Sequence, residues 1–345
     1  MSGSAISGVL VDCIKILVVA AALLLLPTSS FAATITLINK DAAVTEGECS
    51  IGLDGPIEKG DLDRLRHIAS SNGLQREYRH EDRQYLLCLN SPGGSYIEGL
   101  QVAQYVLENG VGTRIEESAS CLSACALIFM AGTTRGSTWE YPYRFLHVQG
   151  RLGFHAPYLT LKETDTYSAK DAEAIFDLSS RLMSGFIKIF SFQSGWYTDP
   201  WIRNSLIAEM FGKGRDEILY VDTVDQVGRW QITLFGKSNT IKPTLRGIGQ
   251  VCYNFLGWAQ DRPGSNYEPG AYGTTITKDS KSGYYRVHIS GMEDAYCDVG
   301  IFGNHIRICS VDNLSASNRG QCPDRYWVLN SHDMELPGTS IRSLK

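Results

Sequence analysis

The chain has 345 residues, is 43% hydrophobic and 20% charged, and carries a formal net charge of −5 at pH 7. That length exceeds one average domain and accommodates two, and the ordinary apolar content excludes a largely disordered chain. The mild acidity, with no basic run, argues against nucleic acid as the main partner.

Residues 1–32 read as a targeting segment. Lys15 precedes the apolar run Ile16–Leu26, which ends at Pro27, and small residues stand at Ser30 and Ala32 where signal peptidase accepts them. A membrane span needs about 20 apolar residues, and this run is shorter. A cleaved signal peptide is therefore expected, with a membrane anchor as the alternative. The predicted location is periplasmic or secreted. Cys13 leaves with the signal, and eight cysteines remain: Cys49, Cys88, Cys121, Cys125, Cys252, Cys297, Cys309 and Cys322. An even number in an exported chain points to disulfides. Zinc is the competing reading, but no CxxC occurs and only Cys121 and Cys125 lie close together, so no metal site is expected.

In chain order, Thr34–Leu37 and Cys49–Leu53 read as strands, followed by a turn at Asp54-Gly55-Pro56. A helix then runs from Gly60-Asp61 to about Ser71, with Asp61 as its cap and Leu62, Leu65 and Ile68 on one face. Tyr85–Leu89 is a continuous apolar run, as expected of a strand buried on both faces of a parallel sheet. Asn90-Ser91-Pro92-Gly93-Gly94 is the turn after it, where two glycines permit positive φ and close approach. Ser95 caps a helix with the apolar stripe Leu100, Ala103, Val106 and Leu107, and Thr113–Glu116 is the next strand.

Leu122–Met130 opens a further helix, and the strands Tyr143–Gln149 and Arg151–Phe154 lead to His155. Strand and helix alternating in this way predict an α/β fold with parallel pairing. Ser168 caps a long helix, Ala169 to about Phe192, whose apolar residues sweep much of its circumference. Core packing is the preferred reading, contact with another subunit the other. A helix over Trp201–Met210, a strand at Ile218–Val221 and a short helix at Thr223–Val227 close a domain spanning 33–236. From about Gly236 helical patterns fade and short alternating runs appear, so 237–345 reads as a small, disulfide-stapled, β-rich module. His288, His305 and His332 are taken there as structural or surface residues.

The chemistry-bearing residues sit between Asn90 and His155. Ser123, within Cys121-Leu122-Ser123-Ala124-Cys125-Ala126, stands where a loop becomes a helix. A helix cap is the commonest role for such a serine, and a nucleophile is the sharper one. His155 after a strand is a base candidate, and the glycine turn can offer backbone donors.

These residues carry a family resemblance. An apolar strand ending in Asn90-Ser91-Pro92-Gly93-Gly94, a serine among small residues at Ser123, and a strand ending in Phe154-His155-Ala156-Pro157 resemble the Clp peptidase branch of the Clp protease/crotonase superfamily. The resemblance covers about Cys49–Ile232, including a final strand and short helix at Leu219–Gly228, and the chain looks like an exported, Clp-peptidase-like bacterial protein. It implies a crotonase-type fold of repeated ββα units followed by the Cys-rich module. Ser123 would be the nucleophile, His155 the general base, and the N–H groups of Gly93 or Gly94 and of Ala124 the oxyanion hole.

The family's orienting acid falls on Gly212 here, so Glu209 and Asp216, a turn to either side, are the candidate substitutes. A Ser/His dyad or a site without activity is the other outcome. A Cys121–Cys125 disulfide would brace the nucleophile turn, or these cysteines pair elsewhere. The resemblance therefore leads to an ATP-independent serine peptidase of the cell envelope acting on unfolded segments or short peptides. It would have no cofactor and no ATPase partner, with a homo-oligomer allowed. The rival is a catalytically inactive fold serving as a periplasmic binding or scaffold protein. Acyl-CoA chemistry at the same hole is weakest, since coenzyme A is not expected outside the cytoplasm.

Overall fold

The computed structural model describes residues 32–43, 47–74, 85–135, 140–158, 166–191, 199–214, 216–237, 240–291, 295–310 and 327–344. The expected signal peptide as far as Phe31, with Cys13, and also Cys322, lie outside the described residues. Within them the chain is mixed α/β, with seven α-helices, several sheets and a C-terminal antiparallel sheet.

The main sheet has six strands. β1 (Thr34–Leu37) and β2 (Ile51–Asp54) pair antiparallel, and β2 then pairs parallel with β3 (Leu86–Asn90). Beyond β3 lie β4 (Gly112–Ile115), β8 (Arg144–His147) and β11 (Thr233–Phe235), all parallel. Parallel neighbours need crossovers, and α1 (Asp61–Ser71) and α2 (Tyr96–Glu108) supply the first two. Between β4 and β8 the chain inserts β5 (Ser120–Leu122), α3 (Ala124–Met130) and the hairpin of β6 (Thr133–Arg135) with β7 (Glu140–Pro142).

A second, three-stranded sheet combines β5 with β9 (Arg151–Phe154), parallel, and β9 with β10 (Leu219–Tyr220), antiparallel. Leu122, expected to open the helix over Leu122–Met130, instead ends β5. β5 is a separate strand because Ser91 N–H donates to Ser120 O and Leu122 N–H to Ser91 O, which aligns it with the end of β3. The remaining helices of this part are α4 (Ala169–Phe190), α5 (Asn204–Phe211) and α6 (Val224–Arg229), the last capped by Thr223.

Three expectations need correction. Asp61 is not the cap of α1: Gly60 holds that position at φ 99°, and Asp61 is the first, buried helical residue. Its carboxylate accepts from Glu58 N–H, while buried Glu98 of α2 takes the N–H groups of Gly60 and Leu62. The start of α1 is thus satisfied from another helix. Second, α4 is not a core helix, since only Phe186 and Phe190 are buried and Phe176 is 75% exposed. Its capping box at Ser168 and Asp171 satisfies its first turn without tertiary help.

Third, helical structure does not end at Gly236, because α7 (Leu245–Ala259) is 15 residues long. Its glycines mask the pattern but serve packing. A Cβ at Gly249 would lie 2.4 Å from the Tyr267 ring, and one at Gly257 2.4 Å from Pro263 O.

α7 packs on the antiparallel meander β12 (Thr275–Lys278), β13 (Tyr285–Ile289), β14 (Ala295–Phe302), β15 (His305–Ser310) and β16 (Trp327–Leu329). Alternate residues Val287 and Ile289, Cys297 and Val299, and Ile306 and Ile308 face it and form a second core with Val251, Phe255 and Trp258. Ala33–Lys345 forms one compact unit in which the two cores interlock. Val224 of α6 belongs to the second, and Ile341 near the C-terminus to the first.

Disulfides join Cys49 to Cys88, Cys121 to Cys125 and Cys252 of α7 to Cys297 of β14, and Cys309 is bonded as well. Among the described residues no helix is long and apolar enough to cross a membrane. The disulfides fit an oxidising compartment.

Candidate active site

The turn after β3 is held from both sides. Asn90 donates through Nδ2 to Asp54 and accepts Ser120 N–H through Oδ1. Beyond Pro92, Gly93 O accepts Ile57 N–H at 2.8 Å, and Ser95 N–H returns to Ile57 O. The glycines have φ of 98° and 141°. A Cβ on Gly93 would meet Ser123 Cβ at 2.6 Å, and one on Gly94 would meet Ile57 O at 2.3 Å. Only glycine fits either position. Gly93 N–H is taken by Ser91 Oγ at 3.1 Å, which leaves Gly94 as the better placed donor of the two.

Ser123 lies directly above this turn, between β5 and α3. Its φ of 58° and ψ of −122° put a non-glycine residue in a sparsely populated region, which costs about 1–3 kcal/mol. It occupies the cap position of α3, yet its side chain caps nothing. The capping role that sequence favours for such a serine is therefore absent. The conformation is held by Ser123 N–H donating to Gly153 O, by Ala126 N–H donating to Ser123 O, and by the Cys121–Cys125 disulfide, which straddles the residue with a Cα–Cα distance of 5.2 Å. Ala124 begins the helix, where first-turn N–H groups lack intrahelical partners. It must be small, because Gly99 of α2 approaches so closely that a Cβ there would lie 2.9 Å from the Ala124 methyl.

β9 delivers His155. The register sets Leu122 opposite Gly153, so Ser123 and His155 emerge at the same ends of two paired parallel strands. The imidazole is half-buried beside the Tyr158 ring, with Nδ1 2.8 Å from Ala156 O. A carbonyl can only accept, so Nδ1 carries the proton and Nε2 offers its lone pair. Among the described residues no hydrogen bond joins Ser123 to His155.

The two acid candidates fare differently, and neither forms a hydrogen bond or ion pair with His155 among the described residues. Glu209 on α5 pairs with Arg229 at 3.0 Å, and that same guanidinium binds Asp225. Asp216 lies just before β10, whose Leu219 is opposite Phe154, so the antiparallel register brings the Asp216 segment to the end of the sheet where His155 emerges. Glu217, not singled out from sequence, shares that position, and its carboxylate accepts Gly214 N–H. Gly212 is the C-terminal cap residue of α5.

Two further residues were not foreseen. Tyr96, first in α2 after the glycine turn, keeps a buried hydroxyl with no partner among the described residues, and burial pushes its pKa up to about 12. Arg144 of β8 is 1% exposed and donates to the carbonyls of Met130, Trp201, Trp230 and Gln231. Met130 is the last residue of α3, so a buried cation stands at the negative end of the helix that Ser123 begins. An arginine in mid-sequence gives no sign of such a role.

The one cluster of metal-ligand types among the described residues, Cys49, Cys88 and Glu116, has its two sulfurs bonded to each other, which removes the thiolates a soft metal would need. No family model matches the chain, and no curated protein matches it.

Proposed function

We propose that the protein is an ATP-independent serine peptidase of the cell envelope, periplasmic or secreted, built on a Clp-peptidase-like fold. The observation that carries this reading is Ser123. It is a serine held at positive φ on a strand-to-helix turn, with its hydroxyl not used as a cap, beside a strand that ends in histidine. Strained backbone of this kind points to function because folding alone does not repay it. The parallel sheet, the second short sheet and the Gly93-Gly94 turn against Ser123 support the resemblance to that superfamily.

In the reaction Ser123 Oγ attacks the scissile carbonyl, and His155 Nε2 takes its proton and later returns it to the leaving amine. Ala156 O holds the tautomer, a task that a carboxylate performs in a triad, so the working unit is a Ser/His dyad. The N–H groups of Gly94 and Ala124 stabilise the tetrahedral oxyanion, each worth about 3 kcal/mol where such donors have been removed. Substrates are unfolded segments or short peptides.

The absent Ser123–His155 hydrogen bond and the engagement of Glu209 by Arg229 favour the second reading, an inactive binding or scaffold protein. Hydrogen bonds of this kind are often long until substrate arrives, so reactivity decides between the two. A fluorophosphonate probe applied to the mature, oxidised protein should label Ser123. Loss of labelling in both Ser123→Ala and His155→Ala would establish the activated serine. A folded protein that does not label would turn the proposal to the scaffold.

A further inference from the structure

Helix α4 presents two faces to different surroundings. Near its C-terminal end Phe186 and Phe190 are buried in the first core. On the adjacent face Phe176, Ser180, Met183 and Ile187 recur at i, i+4, i+7 and i+11, which sets them in one line along the helix. Phe176 is 75% exposed and Ile187 52%. Both forgo the burial that Phe186 and Phe190 obtain on the same helix, and an exposed apolar line framed by charge marks an interaction surface.

The line is uneven in a way that complements itself. Phe176 projects at one end, and about one turn further on begins a depression of about 750 Å³, lined by Ser179, Ser180, Met183, Ser184, Ile187 and Lys188, all from α4. A knob beside a hollow pairs with a second copy across a two-fold axis, because the axis places each copy's knob on the other's hollow. Charge on the flank follows the same order. Glu173 and Asp177 precede the centre of the line, Arg181 and Lys188 follow it, and all four are exposed, with Lys170 the exception at the start. Antiparallel packing therefore sets unlike charges together, whereas parallel packing sets like against like. A lipid surface suits the helix less well, since Asp171, Glu173 and Asp177 offset its cations and a membrane-lying helix has a cationic polar face.

We propose that this face of α4 joins two copies of the chain. Their α4 helices pack antiparallel about a two-fold axis beside Ser179 and Ser180, each Phe176 entering the other copy's depression. Phe176 and Met183 lie symmetrically about that point, so Phe176 of one copy meets Met183 of the other. Glu173 then comes beside Lys188 of the second copy. The proposal holds whether or not Ser123 is reactive, since α4 carries none of the groups placed at that site.

The test is sedimentation equilibrium of the mature, oxidised protein over about 1–200 µM, a range suited to an interface at the small end of the size scale. A reversible monomer–dimer equilibrium is expected. Phe176→Glu, at an exposed position, should weaken it at least about tenfold while leaving the urea midpoint of the monomer unchanged. Glu173→Lys and Lys188→Glu should each weaken it, and the two together should restore it, which a merely structural role of either residue would not produce. A monomer throughout the range would overturn the proposal, including one that instead sediments with phosphatidylglycerol vesicles. Equal association in Phe176→Glu would also overturn it, and so would a double charge swap that fails to restore dimerisation.

Discussion

The backbone of Ser123 and the glycine beneath it form one device. Ser123 holds φ 58° because the disulfide fixes the residues on either side and Gly153 O takes its own N–H, and Gly93 must lack a side chain for the turn to lie against it. Gly93→Ala puts a methyl 2.6 Å from Ser123 Cβ at a φ of 98°. It should abolish probe labelling and lower stability by about 1–3 kcal/mol, measured by labelling together with urea denaturation.

His332 makes a separate prediction about pH. Burial pushes its pKa below the ordinary value, with Asp333 opposing and Lys237 reinforcing the shift. In the unfolded chain the ring protonates near pH 6.5, whereas the folded ring stays neutral to lower pH. The unfolded state therefore binds the extra proton first, and stability falls as pH drops from about 6.5 through the folded value. Urea denaturation between about pH 7.5 and 5 should show this loss, with a flatter slope in His332→Asn.

At the level of elements, α3 is fixed at both ends by groups distant in sequence. Its N-terminus follows the Cys121–Cys125 bridge, and its C-terminal carbonyl Met130 O takes Arg144, which also holds Trp201, Trp230 and Gln231. Arg144→Met keeps volume but leaves four carbonyls short of a donor. A loss of at least about 1–3 kcal/mol is expected, as for buried carbonyls left unsatisfied, read by thermal unfolding. The Cys121–Cys125 bridge closes a loop of separation 4, so its chain-entropy contribution is only about 2 kcal/mol. Cys121→Ser/Cys125→Ser should thus remain folded yet lose probe labelling, which would separate the brace from global stability.

At the scale of the whole molecule, two cores share one compact unit, and Cys252–Cys297 staples the second across a separation of 45. Its removal should cost about 4 kcal/mol on the loop-entropy estimate, roughly twice that of the short bridge. Chemical denaturation of Cys252→Ser/Cys297→Ser beside the Cys121/Cys125 double variant tests that order. Helix α4 stands apart from this packing, with Phe176 and Ile187 exposed, Phe186 and Phe190 buried, and Met183 and Ile189 partly buried against the core.

Much of this was legible in the amino-acid order because it is local. A continuous apolar run gives the strand at Tyr85–Leu89, apolar periodicity gives the helices beginning near Asp61 and Tyr96, caps appear at Ser95 and Ser168, and the glycine turn is visible as letters. What only the tertiary structure decided is non-local. Glu98 satisfies the start of another helix, β5 exists because β3 ends beside it, and the glycines of α7 earn their place through Tyr267 and Pro263. The site divides in the same way. Ser123, His155 and the glycines could be picked out by type and order. That Ser123 caps nothing, that Ala156 O stands behind the imidazole and that Arg229 takes Glu209 depend on atoms brought together by folding. A linear pattern carries the identity and spacing of groups, whereas hydrogen bonds and ion pairs depend on distances that only the closed chain defines.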